Sequence, residues 1–329
     1  MRIVEFFGKP YEGILQFSKM KNSVQAAAAI WMIRPAFFGN NKETAASNSF
    51  QTILEADDEA IHHAGLEEFD RMLSGLKETG IRVIATASND PLAPDAIFPN
   101  NWISFHEDGT IVIYPMMTSN RRREKNLELL EEIKQKFVVN QIHDLSVFEN
   151  ENKFLEGTGS MVLDHKNKIA YAAYSPRTDQ EVFERFCTLM HYTPIGFHTR
   201  SKDGSPLYHT NVMMHIGETY IVVCADVISD SHEREQVVHS LKQSGRIVLE
   251  IDMEEMNQFA GNMLQVKNND GDLITVISAN AFDALSDDHL HTLMENTNLF
   301  PVPIPVIEAI GGGSVRCMMA EIFLPEIQS

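Results

Sequence analysis

Five polar side chains recur along the chain at nearly equal intervals. They are Asn101, Glu156, His209, Asn262 and Cys317, and the intervals are 55, 53, 53 and 55 residues. A cysteine thiolate is a nucleophile, an imidazole can move protons to and from a reacting group, and a carboxylate can orient that imidazole or accept hydrogen bonds from a substrate. The spacing therefore predicts a shared site in which Cys317 is the nucleophile, His209 the proton shuttle and Glu156 the anchor.

The sequence around these residues repeats as well. Each of the first four is followed by an apolar stretch, a polar turn, a second apolar stretch and a helical pattern, and the four hairpins read WISFHEDGTIVIYP, SMVLDHKNKIAYAAYS, VMMHIGETYIVVCADV and MLQVKNNDGDLITVISA. The helical patterns lie at 121–137, 178–192, 231–245 and 283–296. A period of about fifty residues is typical of an array of equivalent units, often arranged radially.

The fifth unit is expected to be split between the two ends of the chain. CMMAEIFLP would be completed by WMIRP and by the helical pattern at 66–80, and strands such as TPIGFHT and PVPIPVIEAI would close the individual units. Joining the ends in this way closes a ring without leaving exposed strand edges. We therefore predict one closed α/β domain over 29–329, preceded by a poorly patterned leader at 1–28.

Composition excludes several classes of function. The 329 residues are 43% apolar, enough for a large core, and the formal net charge of −19 argues against a nucleic-acid or anionic-membrane partner. No stretch approaches the roughly 18 apolar residues of a membrane span, and the N-terminus lacks the apolar core of a signal peptide. Three cysteines form neither a disulfide framework nor a zinc motif, so we expect a cytosolic protein with free thiols, of which Cys187 and Cys224 belong to the core.

The strongest local motif is the run Gly311-Gly312-Gly313-Ser314-Val315-Arg316-Cys317. It fits a glycine turn before a buried strand, and it fits a loop whose backbone approaches a ligand beside a nucleophile. A phosphate-binding loop should open a helix, and β-rich sequence follows instead. The position of Cys317 in the repeat favours the second interpretation.

Four motifs resemble the guanidine-modifying, or pentein, superfamily, which includes arginine deiminases, dimethylargininases and glycine amidinotransferase. They are FPNNW (98–102), EGTGS (156–160), YHTNV (208–212) and GGGSVRC (311–317). The resemblance implies a pentein α/β propeller of five ββαβ-type units with pseudo-fivefold symmetry, the fifth closed by both termini. It also implies attack of the Cys317 thiolate on a guanidinium or ureido carbon, His209 as general acid and base, Glu156 as the carboxylate, and no metal or organic cofactor.

Departures from the resemblance concern the substrate. Arginine deiminases place aspartates where this chain has Asn101 and Asn211. An amide can donate to a carbonyl oxygen, and removing two carboxylates removes a reason for a cation to enter. The amides thus favour a neutral ureido group, as in citrulline, and look similar to a citrulline-utilising, amidinotransferase-like branch. A family aspartate is replaced by Gly159; either Ser160 takes its role or the role is lost.

An amino-acid substrate needs a partner for its α-carboxylate, and arginine suits it through paired charged hydrogen bonds. Ser175-Pro176-Arg177-Thr178 resembles the family's Ser-x-Arg-Thr, so Arg177 is the first choice. Arg121 is the second, with the register among Arg121, Arg122 and Arg123 left open. Trp102 and Arg34 are expected to be structural, and so is Asn262.

The leading hypothesis is a hydrolase that converts citrulline to ornithine, ammonia and carbon dioxide through a covalent Cys317 adduct. One alternative is an arginine deiminase-type hydrolase or an amidinotransferase acting on a guanidino substrate. Another is a non-catalytic pentein-fold binding protein, against which the matched Cys317, His209 and Glu156 count. The expected partner is a small amino acid, and the sequence leaves open whether the chain forms a homo-oligomer.

Overall fold

A computed structural model describes residues 25–52 and 57–327 of the chain. Most of the predicted leader therefore lies outside the described residues, and its boundary stays a prediction. The strands in the described part are short and regularly spaced, and their bounds are as follows: β1 (Ala29–Arg34), β2 (Arg82–Ala87), β3 (Ile103–Phe105), β4 (Thr110–Ile113), β5 (Gln141–Asp144), β6 (Met161–Asp164), β7 (Ile169–Tyr174), β8 (Thr193–His198), β9 (Met214–Ile216), β10 (Tyr220–Val223), β11 (Ile247–Glu250), β12 (Leu264–Lys267), β13 (Leu273–Ser278), β14 (Asn298–Val302) and β15 (Ala320–Ile322).

Helices alternate with these strands. Their bounds are α1 (Lys42–Ala45), α2 (Asp58–Glu78), α3 (Ser119–Arg122), α4 (Glu131–Lys136), α5 (Gly157–Ser160), α6 (Gln180–Met190), α7 (Ser231–Gln243), α8 (Met253–Asn257), α9 (Ala279–Ala284), α10 (Asp287–Asn296) and α11 (Pro305–Gly311). None of the helices within the described ranges is long and apolar enough to cross a bilayer. The predicted α/β class is confirmed.

One pairing pattern recurs through the sheets. Strand β6 pairs antiparallel with β7, which pairs parallel with β8, and the same pattern holds for β9–β10–β11 and β12–β13–β14. It holds again for β3–β4–β5 and for β15–β1–β2, which share one six-stranded sheet. The strand β15 near the C-terminus thus completes a unit with two strands near the N-terminus, as predicted. A radial arrangement of the units about an axis stays a prediction.

Several element bounds differ from the prediction for local reasons. Helix α2 begins eight residues before 66 because the Asp57 side chain caps it, accepting from the Glu59 amide. The pattern at 121–137 is broken into α3, a 3-10 turn and α4, because the Asn126 side chain accepts from the Glu128 amide and starts a new turn there. The predicted strand PVPIPVIEAI is wrong in its second half: Pro305, whose fixed φ suits a first helical turn, begins α11.

Each of the five recurring residues lies in, or directly beside, a helical turn that comes just before the first strand of its unit. Asn101 ends a 3-10 turn before β3, Glu156 precedes α5 and β6, and His209 precedes a 3-10 turn and β9. Asn262 and Cys317 lie just before β12 and β15 in the same way. All five side chains are buried. The repeat therefore brings equivalent turns together, which is what a shared site requires.

Candidate active site

The thiol of Cys317 lies among asparagine side chains. The Nδ2 atoms of Asn262 and Asn211 lie 3.4 and 3.5 Å from its Sγ. The glycine run brings the chain there: Gly311 ends α11, Gly312 has φ of 62°, and the Gly312 carbonyl accepts hydrogen bonds from the Tyr208 hydroxyl and the Asn48 side-chain amide. Amide hydrogens are therefore close to the sulfur, where they can stabilise negative charge.

His209 and Glu156 form a buried pair, with Nε2 of the imidazole 2.9 Å from Oε2 of the carboxylate. Burial lowers the pKa of His209 to about 4, although Glu156 opposes this, so the ring is neutral near pH 7. Because a carboxylate only accepts, we assign the proton to Nε2 and the lone pair to Nδ1. Nδ1 is buried without a hydrogen-bond partner among the described residues. The imidazole is thus prepared to accept a proton.

Arg177 also contacts Glu156, with Nη1 3.4 Å from the same Oε2 that accepts from His209. Burial by itself would raise the pKa of the Glu156 carboxyl, but Arg177 and the bond from His209 outweigh it and hold that pKa well below its usual range. The remaining Arg177 donors reach the segment 41–52, which we call the covering segment. Nη2 donates to the Thr44 carbonyl at 3.1 Å and to the Ser47 hydroxyl at 2.8 Å.

Arg121 is the member of the arginine run that faces the site. Its Nε and Nη2 make a bidentate pair with Glu124 at 2.7 and 2.9 Å, and its Nη1 donates to Oδ1 of Asn101 at 2.8 Å. Arg122 instead bonds to backbone carbonyls, and Arg123 pairs with Asp90 on the surface. The open register is settled in favour of Arg121, whose role in substrate binding stays a proposal.

A small cavity joins these groups. Its lining includes Asn101, Arg121, Arg177, His209 and Cys317, together with the predicted glycine run Gly311–Gly313. Five further lining residues were not predicted as site residues, and they are Thr44, Asn48, Asp95, Phe98 and Tyr208. Asn211 is buried beside the sulfur rather than in this lining.

Asp95 is the lining residue that bears most on ligand binding. Its Oδ2 accepts from Asn41 at 2.7 Å, whereas Oδ1 is buried without a hydrogen-bond partner in the part of the chain that the structure describes. Burial raises the pKa of this carboxyl, against the opposing effect of Arg121. Since a buried polar atom is costly unless it is bonded, Oδ1 is an acceptor available to a donor in the cavity.

The EGTGS motif positions its neighbours. Ser160 Oγ accepts from the Glu156 amide and donates to the Arg177 carbonyl, at 2.9 and 2.8 Å. A Cβ on Gly159 would lie 2.4 Å from Nδ2 of Asn101 and 2.7 Å from Nδ1 of His209. No side chain fits at 159, so a carboxylate there is excluded in this arrangement, and Ser160 orients Glu156 and Arg177 through backbone atoms.

The other candidates lie elsewhere. Trp102 is fully buried with its ring centroid 5.7 Å from that of Trp31, and Arg34 pairs with Asp70 on the surface. Cys187 and Cys224 are buried in the apolar clusters, as predicted. The expectation that Asn262 is structural is incomplete, because its amide contacts the Cys317 sulfur. Its place in the repeat was the signal that could have identified it.

Comparisons with known proteins bear on the fold and the family. The profile of the family described as N,N dimethylarginine dimethylhydrolase, eukaryotic, matches residues 34–324. None of the curated protein sequences matches the chain.

Solved structures show similarity at low sequence identity. The apo structure of ArgZ, an arginine dihydrolase from the ornithine–ammonia cycle in cyanobacteria, has a TM-score of 0.70 and 15% identity, covering 91% of this chain and 41% of that chain. A binary complex of an AgrE mutant with L-arginine has a TM-score of 0.69 and 14% identity over 92% and 41%. A dimethylarginine dimethylaminohydrolase adduct has a TM-score of 0.62 and 15% identity over 89% and 99%.

The chain thus spans about two fifths of the length of ArgZ and AgrE, while the alignment to the N-terminal domain of ArgZ covers 99% of that domain. At these identities the structural likeness shows the fold alone. The predicted pentein fold is confirmed to that extent.

Proposed function

Because this chain belongs to the family of the eukaryotic N,N dimethylarginine dimethylhydrolases, we propose that it hydrolyses a guanidino amino acid through a covalent adduct on Cys317. The broader class, a hydrolase acting on carbon–nitrogen bonds other than peptide bonds, follows from the family. The observation that carries the proposal is that a neutral His209, whose Nδ1 has no hydrogen-bond partner among the described residues, lines the same cavity as Cys317. We place the five units about one central axis, with this cavity at the end formed by the five turns.

Two charged groups suit the amino-acid end of the substrate. Arg177 can exchange its bonds to the covering segment for a paired contact with the α-carboxylate. Asp95, whose Oδ1 needs a donor, can accept from the α-ammonium group. Both line the cavity with Cys317, so the side chain of a bound amino acid extends toward the sulfur.

The first half of the reaction forms the adduct. His209 Nδ1 takes the thiol proton, and the Cys317 thiolate attacks the guanidino carbon. Glu156 stabilises the imidazolium that results, because its Oε2 accepts from Nε2. The imidazolium then returns the proton to the leaving nitrogen, which departs as ammonia or an amine and leaves an amidino group on sulfur.

The second half consumes water. His209 takes a proton from the water molecule, whose oxygen attacks the adduct carbon, and the Cys317 sulfur leaves and regains a proton. A guanidino amino acid plus water thereby gives a ureido amino acid plus ammonia or the amine. From N,N-dimethylarginine the amine would be dimethylamine, and from arginine the product would be citrulline and ammonia.

A second candidate activity is hydrolysis of the ureido group itself, and the amides of Asn101 and Asn211 favour it. Attack of Cys317 on citrulline would expel ammonia and leave a carbamoyl group on sulfur, which water releases as a carbamate. The carbamate loses carbon dioxide to give ornithine. Run in sequence, the two reactions convert arginine to ornithine, two ammonia and carbon dioxide; ArgZ is described as an arginine dihydrolase of the ornithine–ammonia cycle.

The test is incubation of purified protein with arginine, N,N-dimethylarginine and citrulline, each separately, with amino acids, ammonia and dimethylamine quantified. Mass spectrometry of rapidly quenched mixtures should show an adduct on the peptide that contains Cys317. Cys317→Ala and His209→Ala should abolish turnover while Cys187→Ala, a thiol outside the cavity, should not.

Ornithine from citrulline supports the ureido proposal, and citrulline accumulating from arginine contradicts it. Transfer of the amidino group to an added amine would support the amidinotransferase alternative. If no substrate is turned over, the alternative that remains is a non-catalytic binding protein.

A further inference from the structure

Asn262 lies behind the nucleophile in a turn built for close approach. Phe259 has φ of 64°, and the Asn262 backbone amide donates to the Phe259 carbonyl at 2.7 Å. A Cβ on Gly261 would lie 2.3 Å from the Val212 carbonyl oxygen, so only glycine lets this turn reach the turn at 210–213. The Asn262 side chain is fully buried at the contact between the two turns.

The bonds of Asn262 fix which end of its amide faces the sulfur. Oδ1 accepts from the Arg316 backbone amide at 3.1 Å, and Nδ2 donates to the Asn211 carbonyl at 3.0 Å. Reversing the amide would place donor against donor and acceptor against acceptor, so the orientation follows from the network. The second Nδ2 hydrogen is left for Sγ of Cys317, 3.4 Å away.

Oδ1 of Asn262 also lies 3.8 Å from the sulfur, so Asn211 differs from Asn262 in the bonds that fix its amide and not in its distance from Cys317. Nδ2 and Oδ1 of Asn211 lie 3.5 and 3.9 Å from the same sulfur, and these are the side-chain hydrogen bonds it makes among the described residues. Its amide can therefore turn to offer a donor or an acceptor. Asn262 is therefore held as a donor toward the sulfur, whereas Asn211 is not held in one orientation by other side-chain bonds among the described residues.

We propose that Asn262 is a catalytic residue that stabilises the Cys317 thiolate through its fixed Nδ2 donor. The proposal rests on the proposed function in that it takes Cys317 as the nucleophile. The nearby charged candidate, Arg316, does not serve, because its guanidinium bonds to the Met319 carbonyl and to Glu321. A neutral amide donor suits this site, because in the proposed function the Cys317 thiol gives its proton to a neutral His209.

The test is the pH dependence of alkylation of Cys317 by iodoacetamide, followed on its own peptide by mass spectrometry because Cys187 and Cys224 are also free thiols. Asn262→Asp replaces the donor by an acceptor, and Asn262→Ala removes it without burying a charge. A hydrogen bond to a charged group corresponds to about one to two pH units, so we expect the alkylation midpoint to rise by that amount in both variants. At pH 7 the substrate turnover should fall about 10- to 100-fold and recover as the pH is raised.

The matched control is Asn268→Asp, the same substitution in the hairpin of the same unit, where the side chain bonds to the Thr79 carbonyl and to Asp272. Its alkylation midpoint should equal that of the unaltered protein. A midpoint unchanged in folded Asn262→Ala, checked by circular dichroism, would show that Asn262 only holds the turns together. Alkylation needs no substrate, so it tests this inference separately from the proposed function. If the Asn262 variants raise the midpoint but the unaltered protein turns over no substrate, this inference holds and the proposed function is rejected.

Discussion

Replacing Glu156 by glutamine tests the centre of the proposed chemistry. The Glu156 carboxylate accepts hydrogen bonds from Nε2 of His209 at 2.9 Å and from Nη1 of Arg177 at 3.4 Å, and these contacts keep it ionised. Glutamine has the same shape but no charge, and its amide can offer a hydrogen to Nε2. The histidine proton would then move to Nδ1, the atom that must accept the thiol proton.

The size of the effect follows from those two contacts. A base held in the wrong tautomer costs on the order of 10⁴-fold in kcat, or about 5 kcal/mol of transition-state stabilisation. Leaving Arg177 buried without its charge partner costs about 3–5 kcal/mol of folding stability. We therefore expect Glu156→Gln to fold with a lowered Tm and to lose nearly all activity.

The assay is steady-state turnover of the best substrate with a parallel thermal melt. Glu308→Gln is the matched control: Glu308 is also buried near the glycine run, but it bonds to Ser314 and Asn280 and pairs with no histidine or arginine among the described residues. It should keep kcat within a few-fold. If Glu156→Gln retained more than a tenth of the original kcat, Glu156 would not set the state of His209, and the proton path proposed above would be wrong.

Three further predictions use other contacts of the site. Asn101→Asp should raise the ratio of arginine to citrulline turnover at least tenfold, since a carboxylate attracts the cationic group; an unchanged ratio would remove the basis for the ureido proposal. Gly159→Ala should reduce kcat more than tenfold without changing the circular dichroism, because its methyl group would lie under 3 Å from Asn101 and His209, and a normal kcat would contradict the geometry. Burial lowers the pKa of His209 to about 4 and of His215 to about 3. As the pH falls below 6.5, these two histidines therefore become protonated in the unfolded chain while they stay neutral in the folded protein. Urea unfolding at pH 5 should therefore give a lower free energy than at pH 8, with about 2 kcal/mol from each of these histidines. Buried His106 acts in the same direction and Glu124, whose pKa burial raises to about 7, acts against it, so a higher free energy at pH 5 than at pH 8 would contradict the burial of neutral rings.

The repeat made much of the site predictable. A unit that recurs leaves a period in the sequence, and the residue before its first strand recurs with it, so Glu156, His209 and Cys317 could be placed together without coordinates. The split unit followed from the same period, because β15 has no partner nearby in sequence and pairs with β1 about 290 residues away.

Unlike Asn262, several site residues that the sequence did not reveal lie outside the repeat. Thr44, Ser47 and Asn48 belong to the covering segment, and their partners Arg177 and Gly312 are 130 or more residues away. Asp95 carries no periodic signal. Only its burial, and an oxygen without a hydrogen-bond partner in the described part of the chain, distinguish it from an ordinary loop aspartate. Such contacts depend on tertiary packing, which local patterns do not encode.

The covering segment also constrains how substrate enters. Arg177 gives its Nη2 hydrogens to Thr44 and Ser47, and Asp95 accepts from Asn41, so the groups proposed to hold an amino acid are bonded to this segment. The α-carboxylate of the substrate must replace the two bonds from Arg177 to Thr44 and Ser47. Each exchange changes the free energy little, because one hydrogen bond substitutes for another. Binding energy then comes from what the segment cannot supply, namely a negative charge for Arg177 and a donor for Oδ1 of Asp95. A zwitterionic amino acid supplies both at once, whereas a simple amine or a simple acid supplies one.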